Sequence, residues 1–207
     1  MPIPRKGVIS RLLLSLGFAG VCISANAAVT DQIGAELVGQ VANPSASQSI
    51  QYGYLSLVEG MPRISTQSGP VTETTALLTF YSDTTTDSVT NNGPMRTIDR
   101  TGTITIYYND SGNSTFSNPD SFRTGTPILV ATLHHQVVID TITGSFVTTF
   151  ENTITNTSLF QVDNMTYRLG KPGRIVRINV FGHLNAQAPP AAYIMGFVSG
   201  AFAETLQ

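Results

Sequence analysis

From residue 48 to the C-terminus the chain repeats one pattern. A run rich in Thr, Val, Ile, Phe and Tyr is followed by a short cluster of Gly, Asn, Asp or Pro. β-Branched and aromatic side chains fit a pleated, half-buried surface, and the clusters carry turn chemistry. No long stretch has capped, 3.6-residue apolar spacing. Strands are predicted near 48–59, 73–83, 96–108, 126–142, 145–157, 159–168, 173–184 and 191–203, separated by "EGMP", "NNGP", "NDSGNSTFSNPD", "ITGS", "KPG" and "NAQAPP". The polar "DTTTDS" at 83–88 reads as a loop. About eight strands joined by mostly short turns predict an all-β fold, a single antiparallel barrel with a β-sandwich as the alternative. Strand length favours the barrel, because 126–142 can run the full height of a tilted wall. Closure also removes the edges that invite aggregation. In the last strand Gly196 and Gly200 share a face, as expected where backbones approach closely.

The N-terminus belongs to a different class of sequence. Arg5, Lys6 and Arg11 precede the apolar run "LLLSLGFAGVCISA", and Ala25 and Ala27 stand at −3 and −1 of a cleavage site. That is the layout of a bacterial-type secretory signal peptide over 1–27, too short and broken for a spanning helix. Export to the periplasm or medium is expected. Residues 28–46 read as a polar lead-in with a short helix around "DQIGAELVGQV", and 47–207 as a single β domain. Cleavage removes Cys22, the lone cysteine, so the mature protein is free of disulfides and must be held by burial and its hydrogen-bond ladder. It keeps 8 basic and 13 acidic residues, a net charge of −5. Such a balance argues against nucleic acid as a partner, and no stable membrane span is expected in the mature chain.

Candidate chemistry centres on "TLHHQVVIDTITGSFVTTF", which holds His134 and His135. Adjacent strand residues face opposite ways, so the two imidazoles cannot share a metal. His135 falls on the apolar face with Leu133 and Val137, His134 on the polar one. With "TG" at 143–144 as a two-residue turn, His135 would oppose Asn152 and His134 would oppose Thr153. The plain reading of His135 is a neutral imidazole satisfied by a neighbour. The functional reading is a polar handle in an apolar cavity, with His135, Asn152, Phe150, Tyr54 and Phe197 as ligand-binding candidates. No metal or cofactor motif is present, and the loop "YYNDSGNSTFSNPD" misses the calcium-loop pattern.

Arg168 and Arg174 flank the turn "KPG" and form a candidate anion site, since guanidinium offers a bidentate fork. No nucleophile elbow or phosphate loop occurs. In architecture the layout resembles calycin-type and allene-oxide-cyclase-like barrels, a resemblance that implies a fold and not a function. The leading expectation is an exported, non-enzymatic barrel that binds a small hydrophobic ligand. The alternatives are a cyclase- or isomerase-type enzyme using His135, Asn152 and Glu73, and a structural or adhesive cell-surface subunit.

Overall fold

The computed structural model describes residues 33–206, and the expected signal peptide lies outside them. The described chain runs β1 (Ile33–Ala42), β2 (Gln48–Val58), β3 (Leu78–Asn92), β4 (Met95–Tyr108), a 3-10 turn (Pro119–Arg123), β5 (Thr126–Asp140), β6 (Ser145–Thr157), β7 (Phe160–Val162), β8 (Met165–Leu169), β9 (Ile175–Leu184), β10 (Ala192–Ser199) and β11 (Ala203–Leu206). Eight of these strands close into an antiparallel barrel in the order β1-β10-β9-β6-β5-β4-β3-β2, and β11, β8 and β7 form a small separate sheet. Among the described residues no helix is long and apolar enough to cross a membrane.

Eight barrel strands were expected, but the set differs in two places. Within the segment read as lead-in and short helix, whose residues 28–32 lie outside the described residues, Ile33–Ala42 form β1, the stave that joins β2 to β10. Period-two alternation sends Leu37, Gly39 and Val41 to one face, and the need to close the barrel outweighs a weak local helical preference. Gly39 and Gly53 pair directly across β1 and β2. A Cβ on Gly53 would lie 2.1 Å from the carbonyl oxygen of Val38, so the two strands meet at a spacing only glycine permits.

The run at 159–168, by contrast, is not a stave. Asp163 and Asn164 both adopt left-handed φ, 51° and 65°, the conformation of a tight hairpin turn, and fold the run into β7 and β8. The last predicted strand also breaks. Gly200, at φ 83°, swings the chain out of β10 and into β11 beside β8. Finally, "DTTTDS" lies within β3. Its threonines suit a strand, and buried Thr84 donates its hydroxyl to Ser49 O at 2.7 Å.

Two cores result. The larger fills the barrel, with Leu37, Phe80, Ile104, Leu133, Phe150 and Ile194 among its side chains. The smaller lies outside the wall, where the loop between β4 and β5 lays Phe116 and Phe122 over Tyr52 and Tyr54 of β2.

Candidate functional site

Between β5 and β6 the turn spans 141–144, longer than the two-residue hairpin expected. Asp140 builds it: its carboxylate accepts from the N–H groups of Ile142 (2.9 Å) and Thr143 (3.3 Å). The register slides by two residues, so His135 pairs with Phe150, His134 with Glu151 and Leu133 with Asn152. A slide of two preserves faces. His135, Phe150 and Asn152 therefore remain together inside the barrel, but His135 and Asn152 are diagonal neighbours, not a direct pair.

His135 is 1% exposed and meets the Phe150 ring edge-on at 4.9 Å. Its Nε2 lies 3.5 Å from Arg100 Nη1 on β4, and Arg100 Nε donates to Thr86 Oγ1 at 3.2 Å. Guanidinium can only donate, so Nε2 is the acceptor and Nδ1 carries the ring proton. Burial, reinforced by the charges of Arg100 and His134 and partly opposed by Asp99, drives the imidazole pKa down to about 3. Nδ1 has no hydrogen-bond partner, and neither does Asn152 Oδ1, while Asn152 Nδ2 donates to Val176 O at 3.2 Å. A general base works best with a pKa near the operating pH, and this imidazole is far below it. Glu73, the other acid–base candidate, is not at the site: its charge acts on Tyr54 outside the wall.

Among the described residues, the interior cavity that adjoins the site is small. The cavity beside Phe150, lined also by Leu37, Gln51, Phe80, Val180 and Ile194, measures about 10 Å³. That is space for about one water, whereas ligand pockets measure about 300–1,000 Å³. Gln51 is tied down by Ser49 and Ser82.

The remaining candidates lie elsewhere. Tyr54 is on the outer face of β2 under Phe116. Phe197 is also outside, stacked on Phe181 at 6.3 Å. Arg168, one of the two arginines of the expected anion site, is bonded by Glu204 on β11 (2.8 Å), which also holds Lys171 (2.9 Å), while Arg174 is exposed. The oxygen-rich loop caps itself, with Asn109 bonding Ser111 N and Gly112 O. No group of three potential metal ligands occurs among the described residues.

One feature of the surface was not anticipated. Met195 of β10 pairs with Phe181 of β9, Phe181 with Val147 of β6, and Val147 with Val138 of β5. All four point outward and are exposed by 64%, 52%, 45% and 37%. Tyr193 and the partly buried Phe197 flank the row on β10. The signal was present in "AYIMGFV", whose inward and outward positions are both apolar, where a wall facing water should alternate. No protein-family model, curated protein or solved structure matches the chain.

Proposed function

We propose that this is an exported structural subunit whose working surface is the outer wall of β10, β9, β6 and β5, and that the wall docks on a second copy of the chain. The observation that carries this reading is the uncharged row Met195–Phe181–Val147–Val138. An isologous contact sets a patch against itself, and a row without charges does so without like-charge repulsion. The closed barrel limits edge-to-edge strand addition, so assembly proceeds face to face.

Magnitude sets the kind of assembly. Side chains of this size, exposed by about half, leave on the order of 400 Å² of apolar surface. Two such faces bury on the order of 800 Å², short of the roughly 1,200–2,000 Å² of a stable complex. The dimer is therefore weak, with a dissociation constant on the order of 0.1 mM once the cost of association is set against burial. Sedimentation velocity of the exported chain from about 10 μM to 1 mM tests this. The sedimentation coefficient should rise with concentration, and the double substitution Phe181→Ser, Met195→Ser should abolish the rise. A wild-type coefficient that stays monomeric throughout would sink the reading. A small hydrophobic ligand inside the barrel is the weaker reading, because the packed core leaves only about 10 Å³.

A further inference from the structure

Where β2 leaves the barrel wall, a surface groove of about 520 Å³ opens beside β1, within the roughly 300–1,000 Å³ of small-molecule sites. A bulge shapes it. Glu36 pairs with Leu57 but Leu37 pairs with Leu55, so Ser56 is an extra residue of β2. Bulges re-aim side chains, and this one leaves Leu57 facing out, 40% exposed. Beyond Val58 the chain returns past the groove through Ile64 and Val71. Backbone bonds tie that returning loop down: Leu77 N donates to Ile64 O at 2.9 Å and Thr66 N to Thr75 O at 2.8 Å. The groove is therefore preformed. Leu57, Val58, Met61 and Ile64 give it an apolar lining, with Val58 and Met61 buried.

Two carboxylates border this apolar surface, Glu36 and Glu59, and its described lining carries no lysine, arginine or histidine. Glu59 N donates to Gly34 O at 3.0 Å, which sets Glu59 two residues along the pairing from Glu36. Among the described residues neither acid is in an ion pair. Arg63, the cation nearest along the chain, is held by both oxygens of Asp163.

We infer that the groove binds a small aliphatic amine in its primary ammonium form. Charge selects a cation, and the acceptors select its head. An –NH₃⁺ group has three donors, which Glu36, Glu59 and the hydroxyl of Ser56 are placed along the groove to accept. A quaternary ammonium has no donor and is recognised by aromatic faces, and the described lining holds no aromatic ring. A bare metal ion would leave the apolar lining unused, whereas an alkyl chain covers Leu57, Met61 and Ile64. None of these residues belongs to the outer row Met195–Phe181–Val147–Val138, so the site stands or falls independently of dimerisation.

Hexylammonium is the probe, with hexanol as the chain without the charge and methylammonium as the charge without the chain. Each is titrated into the exported chain carrying ¹³C-methyl methionine while the Met61 signal is followed. Hexylammonium should shift Met61 saturably, and neither counterpart should do so over the same concentrations. The double substitution Glu36→Gln, Glu59→Gln keeps hydrogen-bonding heads and removes the charges. It should weaken hexylammonium by about tenfold or more, the scale of one lost charge-assisted hydrogen bond. Phe181→Ser, Met195→Ser should bind the amine as the wild type does. No saturable shift, an equal response to hexanol, or an unchanged affinity in the glutamine variant would each overturn the site. Loss of binding in Phe181→Ser, Met195→Ser would also overturn it, by moving the amine to the outer wall. Should the glutamine variant not fold, the comparison of hexylammonium with hexanol on the wild-type chain decides alone.

Discussion

Lowering the pH from 7.5 to 5 should destabilise this protein through one residue. An imidazole in the unfolded chain takes up its proton near pH 6.5, whereas folded His135 resists protonation down to about 3. Between those values the unfolded state binds the extra proton, so stability falls as pH falls. At pH 5 the unfolded state gains about RT ln(1 + 10^1.5), or about 2 kcal/mol, and the loss of stability reaches about 4 kcal/mol by pH 3. Asp99, Asp140, Asp163 and Glu204, held below the usual carboxylate range by hydrogen bonds, act in the same direction. Their window opens below about pH 4.5, where model carboxylates titrate. The interval from 7.5 to 5 therefore isolates the histidine. Urea unfolding at pH 7.5, 6 and 5 measures it, with His135→Leu as the reference, which should be nearly flat across the interval. Wild-type stability that does not change by pH 5, or an equal fall in His135→Leu, would refute the claim that a neutral imidazole is locked in the core.

Three further perturbations test the packing. Gly53→Ala places a methyl group against the Val38 carbonyl, and because the obstacle is backbone the loss should reach at least the upper end of the roughly 1–3 kcal/mol typical of overpacking, read by thermal unfolding. Phe150→Ala should cost about 3–5 kcal/mol and enlarge the cavity it lines enough for benzene to raise the melting temperature; no response to benzene would mean that the neighbours collapse inward. Glu204→Gln should speed hydrogen exchange over 203–206 while sparing the barrel strands, because Arg168 and Lys171 hold β11 through that carboxylate. Acidification should loosen the same strand, since protonation removes the partner of both cations.

Most of the wall was readable from local chemistry. β4, β5 and β6 lie within about a residue or two of their expected bounds, because alternation and turn clusters agree there. β1 was missed because its role is set by distant partners, β2 and β10, and a ten-residue segment with two glycines carries little local signal. The excess run at 159–168 was miscounted for the opposite reason: its composition suits a strand, but Asp163 and Asn164 turn it back on itself. The inward face of His135 was legible because strand alternation is local. Its pairing was not, since that hung on Asp140 capping a longer turn. Arg100 could not be found by pattern at all. An arginine among threonines reads as solvated, and only closure of the barrel turns it inward against His135.

Methionine methyl resonances give the most direct test of the outer wall as the working surface, because four of the five methionines sample four environments: Met61 buried, Met95 at the β3–β4 hairpin, Met165 exposed at the β7–β8 hairpin and Met195 in the apolar row. Over a dilution series from about 1 mM to 10 μM, the Met195 signal should move with concentration while Met61, Met95 and Met165 hold still. A Met195 resonance that is invariant with concentration, or one that moves no more than Met165, would contradict the account.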